Sequence, residues 1–138
     1  QLTRLGPWVE RRRAIADLYR AQLAGVAGVR ALGTLASGES SYHLFVVRID
    51  FDGLGTTRAA VMDALRLRNI GSQVHYIPVY RHPYHAQAAN DRGSPWRPEA
   101  FPHAEAYYRQ ALSLPMYPAL SDADVRRVVA ALREVLHG

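Results

Sequence analysis

The chain contains no cysteine and no lysine. The first absence excludes disulfides, thiolate metal sites and cysteine nucleophiles. The second means that all 17 basic side chains are arginine, and that no lysine side chain is present to form a Schiff base with a carbonyl compound. Long apolar runs are missing too: none reaches the ~18 residues of a membrane span. Gln1 to Arg13 runs straight into an arginine-rich amphipathic pattern, so no signal peptide is expected, and a cytoplasmic location is the expectation.

What is present fits one small domain over residues 1–138. At 138 residues, 49% hydrophobic and 21% charged, the chain is too apolar for disorder and long enough for a core. A formal net charge of +5 would suit an acidic partner. However, Glu10, Asp17, Asp63 and Glu134 stand between the arginines, the pattern of solvated faces. Neither a nucleic-acid partner nor a membrane partner is expected.

The hydrophobic pattern predicts an element order α-β-α-β-loop-α-β-α. Leu5, Trp8, Val9, Ile15, Leu18, Tyr19 and Leu23 recur at helical spacing, with Pro7 in the first turn and stops at Gly25 and Gly28. Tyr42 to Ile49 reads as a central strand buried on both sides. Thr56 or Thr57 caps a second helix that ends near Asn69 and Gly71. Gln73 to Tyr80 reads as a second strand, broken by Pro78. Arg81 to Pro98, with three prolines, reads as a long loop. Phe101-Pro102 opens another helix, and Leu112-Ser113-Leu114 forms a short strand ended by Pro115. Ser121 to Asp124 is a capping box that starts a last helix through Val125, Val128, Val129, Leu132, Val135 and Leu136. The fold class is α+β. A strand–helix–strand unit, with the short strand antiparallel between its two strands, makes a sheet of about three strands covered by helices on one face. The other face is expected to be apolar and to need a partner surface.

Most chemistries find little support. His75, His82 and His85 lie near one another, but no helical H-E-x-x-H pattern accompanies them, so no metal site is expected. Ser40, Ser41 and Ser113 lack a G-x-S-x-G elbow. Neither G-x-G-x-x-G nor G-K-[ST] occurs. Tyr80, Arg81, Tyr84, Arg92, Trp96 and Arg97 come nearest to a nucleic-acid-binding set, yet they fall in a proline-rich loop. The stretch Val74-His75-Tyr76-Ile77-Pro78-Val79-Tyr80-Arg81-His82-Pro83-Tyr84 is the most informative. Its His, Tyr and Arg side chains suit sugar hydroxyls and phosphates. On chemistry alone it reads equally well as an aromatic strand exit packed under the following loop.

Four blocks together resemble the C-terminal part of the DegT/StrS-type aminotransferases. They are Arg11-Arg12-Arg13-Ala14-Ile15-Ala16-Asp17-Leu18-Tyr19, Ser41-Tyr42-His43-Leu44-Phe45-Val46-Val47-Arg48, Gly71-Ser72-Gln73-Val74-His75-Tyr76-Ile77-Pro78-Val79-Tyr80, and Ala104-Glu105-Ala106-Tyr107-Tyr108 continuing through Leu112-Ser113-Leu114-Pro115-Met116-Tyr117-Pro118 to Ser121-Asp122. The third and fourth blocks are most similar to the subgroup that makes UDP-linked 4-amino-4,6-dideoxy-N-acetylhexosamines, as in pseudaminic acid synthesis. The chain departs from the common pattern at Tyr80, where many relatives carry His, and at His85, where many carry an aromatic.

The resemblance implies the small C-terminal domain of a fold-type I enzyme that uses pyridoxal phosphate (PLP). In the family a large N-terminal domain carries the cofactor and the Schiff-base lysine, and glutamate supplies an amino group to a nucleotide-linked 4-keto-6-deoxy sugar. The resemblance therefore implies a homodimeric parent transaminase with PLP, a missing N-terminal domain, and no catalytic residue, bound cofactor or independent activity in this chain. Its substrate-facing residues would be His75, Tyr76, Tyr42, His43, Tyr80, Arg81 and Tyr84, which would orient the sugar nucleotide rather than move protons. A free-standing binding or regulatory module derived from that domain, and an arginine-rich nucleic-acid-binding domain, are the alternatives.

Overall fold

The computed structural model describes residues 2–34, 37–92 and 97–138. Helix α1 (Leu5–Leu23) buries Ile15, Ala16, Tyr19 and Leu23 along one stripe. Gly25, at φ +77°, turns the chain out of the helix in a conformation that side chains disfavour. Only the second half of the predicted apolar stripe is interior: Leu5 and Trp8 remain 49% and 39% exposed.

Three strands form an antiparallel sheet in the order β1-β2-β3. Strand β1 (Val29–Ala31) pairs Val29 with Ile49 and Ala31 with Val47 on β2 (Phe45–Ile49). On the other side, Phe45 pairs with Leu114 and Val47 with Leu112 of β3 (Ala111–Leu114). Side chains alternate across a sheet, so Phe45, Val47, Ile49, Leu112 and Leu114 share one face, and all five are buried.

Helices cover that face. Thr57 caps α2 (Arg58–Leu67), its hydroxyl accepting from the Ala60 amide at 3.1 Å. Val61 and Leu65 then point inward. Ser121 and Asp124 cap α5 (Asp122–His137) reciprocally, as the capping-box pattern predicts. Helix α5 packs against both α1 and α2. Val125, Val128, Val129 and Leu132 complete the core, and full burial of each such side chain stabilises by about 1.5–3 kcal/mol. Tyr19 stacks on Phe45 at 4.7 Å between ring centroids and ties α1 to the central strand.

Four sequence expectations need correction. Residues 73–80 are not a strand: only Gln73 pairs, through a single antiparallel bridge to Ser113. The bridge does lie on the far side of β3 from β2, so the interleaved topology survives in reduced form. Beyond it Pro78 has no amide to donate, and Tyr76, Ile77 and Val79 stay exposed instead of facing a neighbouring strand. The third sheet strand is β1 instead.

The 81–98 stretch is not one loop, because α3 (Pro83–Arg92) occupies much of it. Pro83 sits at the first helical position, where its missing N–H costs nothing, and good helix formers follow. Strand β2 is central but not buried on both sides: Val46 and Arg48 are only half-buried. Finally, the second sheet face is not apolar. It carries Arg30 opposite Arg48, and Val46 opposite Ser113, with Arg48 donating twice to Gln110 Oε1 at 2.9 and 2.6 Å. The predicted strands, helix α4 (Pro102–Gln110) and the helix starts otherwise agree with the structure.

Candidate functional site

The stretch from Gln73 to Tyr84 leaves the sheet and is held at two points. At the first, the Gln73 amide donates to the Ser113 carbonyl at 3.1 Å, and the Ser113 amide donates back at 2.7 Å. His75 Nδ1 lies 2.9 Å from Ser113 Oγ. Ser113 is 5% exposed on β3, so its hydroxyl is a buried anchor for the imidazole rather than an open nucleophile.

The second point is on α4. A 3-10 turn over Val79–Arg81 rotates Tyr80 inward and Arg81 along the helix. The Tyr80 ring stacks on Phe101 at 4.8 Å, and its hydroxyl donates to Glu105 Oε1 at 3.0 Å. Arg81 Nε donates to the same oxygen at 2.8 Å, and Arg81 Nη2 pairs with Oε2. The Arg81 hydrogen bond, more than any other cause, holds the Glu105 carboxyl below the usual carboxylate range, against the opposing effect of burial. Burial and the same carboxylate push the Tyr80 phenol up. The Tyr108 ring receives two guanidinium groups, with Arg58 Cζ 4.7 Å and Arg81 Cζ 5.5 Å from its centroid.

Between the two anchors Tyr76, Ile77 and Val79 project outward, 75%, 47% and 58% exposed. Burying such side chains would be favourable, and this chain does not do so. Tyr84 lies just beyond, at the start of α3, and is 79% exposed.

Tyr42 and His43 stand apart from this cluster. Tyr42 enters β2 at φ +46°. Its amide donates to Ser40 Oγ at 3.0 Å, and its hydroxyl accepts from Arg20 Nη1 at 2.9 Å. Tyr42, with Arg20, Leu44 and Phe45, lines a cleft of about 350 Å³ to which His43 does not contribute. His43 itself is exposed. The structure thus brings His75, Tyr76, Tyr80 and Arg81 onto one anchored segment, and sets Tyr42 and His43 at a separate place.

The arginine run on α1 serves the fold. Arg11 pairs with Asp122 at 2.8 Å, Arg12 donates to the Ser41 carbonyl at 2.7 Å, and Arg13 donates to the Ser40 carbonyl at 3.0 Å and pairs with Glu39 at 2.8 Å. Arg20, Arg66, Arg68, Arg81 and Arg127 also face carboxylates within 4.0 Å. In the arginine–aromatic set, Tyr80 and Arg81 are committed to Glu105, and Trp96 lies outside the described residues. Among the described residues no group of three or more His, Asp or Glu side chains comes together as a metal site. Nor is any helix among them long and apolar enough to cross a membrane.

Sequence reasoning missed Glu105 and the anchoring role of Ser113. Both lie inside the fourth resemblance block. The available signal was the helical spacing that sets Glu105 and Tyr108 on one face of α4, with Phe101 at its N-cap four residues before Glu105.

Comparison with known proteins places the chain among aminotransferases by sequence and fold. The spore coat polysaccharide biosynthesis protein SpsC of Bacillus subtilis is 36% identical over 139 residues, covering 100% of this chain and 34% of its own length. The dTDP-3-amino-3,4,6-trideoxy-alpha-D-glucose transaminase of Streptomyces venezuelae is 35% identical, over 97% of this chain and 32% of its own. The structure of PseC from Helicobacter pylori, an aminotransferase involved in pseudaminic acid biosynthesis, superposes with a TM-score of 0.82 over 99% of this chain and 34% of its own. At 22% identity that likeness shows the shared fold. The chain therefore spans about a third of the length of the relatives it matches. The model of the DegT/DnrJ/EryC1/StrS aminotransferase family matches residues 1–133, and the chain belongs to that family.

Proposed function

We propose that this chain is the C-terminal, substrate-side domain of a PLP-dependent transaminase that moves an amino group from glutamate to a nucleotide-linked 4-keto-6-deoxy sugar. The observation that carries this reading is the family match over residues 1–133 in a chain about a third as long as its relatives. The missing two-thirds leaves room for a cofactor domain. The S. venezuelae relative, whose name specifies a dTDP-linked amino sugar, supports a nucleotide sugar as substrate.

PLP supplies an electron sink for amine transfer when it is bound. The residues of this chain do not fit that group as its carriers, since none of the 138 is lysine. The cofactor and the proton-moving lysine belong to the absent domain, and this chain alone is inactive. Its own task is recognition. Tyr76 and the free face of His75 bind and orient the sugar nucleotide, with Tyr42, His43 and Tyr84 nearby in the assembled enzyme. The exposed Tyr76, Ile77 and Val79 become covered there. The parent acts as a cytoplasmic homodimer.

The full-length protein, purified with PLP, tests this. Glutamate-dependent amination of a UDP- or dTDP-linked 4-keto-6-deoxy sugar is the expected result, with no activity from the 138-residue chain. Amination of the 3-keto isomer alone would overturn the assigned sugar class. Amination of no nucleotide sugar would overturn the function.

A further inference from the structure

We infer that Glu105 is the positioning residue of the outward-projecting segment: its carboxylate clamps Tyr80 and Arg81 to α4 and thereby sets where Tyr76, Ile77 and Val79 stand. The inference rests on the proposed function in one respect, that this segment meets the nucleotide sugar.

One carboxylate takes three hydrogen bonds from two consecutive residues, Tyr80 Oη, Arg81 Nε and Arg81 Nη2. The arginine part is a two-pronged, charge-assisted contact, the geometry that fixes direction as well as distance. Glu105 has only 14% side-chain exposure, although most acids of this chain sit on open surfaces. Its neighbours on α4 and at its N-cap complete a receiving face. Phe101, four residues earlier, takes the Tyr80 ring. Tyr108, three residues later, takes the Arg81 guanidinium. Arg58 holds Tyr108 from α2 and donates to its carbonyl, so the face itself is braced.

The other end of the segment is already tied to Ser113 through Gln73 and His75. A short span fixed at both feet has little conformational freedom left to lose on binding. Freeing one foot restores that freedom to residues 76–79, and with it a penalty on substrate binding. An anchor that served stability alone would lower the melting temperature and leave KM untouched.

The test uses the full-length protein and its Glu105→Gln, Glu105→Asp and Tyr80→Phe variants. Glu105→Gln is expected to raise KM for the keto-sugar nucleotide about tenfold, with kcat within about threefold of wild type. Glu105→Asp is expected to recover part of the loss. Hydrogen exchange should quicken in the Gln variant at the amides of Arg81 and His82, which donate to the Pro78 and Val79 carbonyls in the turn that the clamp holds. Wild-type exchange at those amides, or an unchanged KM, would overturn the inference. If Glu105→Gln does not fold, Tyr80→Phe replaces it: the ring on Phe101 stays and only one bond to Glu105 is lost, with the same two readouts deciding. If wild-type protein aminates no nucleotide sugar, the proposed function falls, and the exchange measurement alone then decides the clamp.

Discussion

The imidazole of His75 is pinned to the buried hydroxyl of Ser113, Nδ1 to Oγ at 2.9 Å, across 38 residues of sequence. A serine in the middle of a fully buried strand is otherwise out of place, since an unpaired hydroxyl there costs free energy. The bond engages Nδ1 and leaves Nε2 for a ligand; since a hydroxyl can donate or accept, it fixes where the ring stands without choosing its tautomer.

Ser113→Ala should therefore act locally. Loss of this bond is expected to cost about 1 kcal/mol, read as a lower urea midpoint at unchanged slope. The ring-nitrogen NMR shifts of His75 should move at the same time. Unchanged shifts would show that Ser113 does not hold the imidazole.

Tyr19 offers an alkaline counterpart. It is fully buried and donates to the Pro115 carbonyl at 3.0 Å. Burial foremost, then the charges of Tyr117 and Asp124, raise its phenol well above the ordinary value of 10.0. A raised group contributes stability that is complete below the unfolded value and is lost as pH climbs from there through the folded one. Tyr19→Phe is expected to cost about 1 kcal/mol at pH 7. The gap from wild type should close above about pH 10, where unfolded tyrosine ionises. Urea midpoints across that range check it, and a gap constant with pH would refute it.

Much of this architecture was legible because it is local. Ser121 and Asp124 stand three residues apart and announce α5. Thr57 does the same for α2, and Phe45 to Ile49 carry the β-branched and aromatic run of β2. What was not legible depends on distant partners. Val29-Arg30-Ala31 is too short for any periodic signal and becomes a strand only because β2 lies beside it. Tyr76, Ile77 and Val79 have the residue types of a strand, yet they face outward and pair with no strand among the described residues. Of the candidate site, the segment from His75 to Arg81 was readable from its residue types. Its clamp was not, because Arg81 and Glu105 meet across 24 residues and nothing in either neighbourhood names the other.

The Arg81–Glu105 pair should also be visible as an acid-pH dependence. The Glu105 carboxyl is held below its ordinary value, chiefly by the Arg81 hydrogen bond. A depressed carboxyl contributes stability above the unfolded value, about 4.3 for glutamate, and loses it as pH falls through the folded one. Glu105→Gln should melt a few degrees below wild type at neutral pH. That difference should shrink toward zero as pH drops below about 4. Thermal unfolding of both proteins from neutral to acid pH measures it, and a difference that persists at the acid end would mean the carboxylate charge is not what the clamp uses.

Tyr76 separates recognition from folding most directly. Its side chain is 75% exposed and lies on the segment but not in either anchor. Exposed substitutions away from caps and networks usually change stability by no more than about 0.5 kcal/mol. Tyr76→Ala in the full-length protein is therefore expected to keep the wild-type melting temperature. It should lower kcat/KM for the keto-sugar nucleotide about tenfold if, as the proposed function has it, Tyr76 contacts the sugar side of the reaction. Amine transfer from glutamate to the cofactor, followed alone by absorbance, should keep its wild-type rate. Equal losses in both halves would assign Tyr76 to the cofactor side instead. A lowered melting temperature with intact kinetics would make it a packing residue against the absent domain.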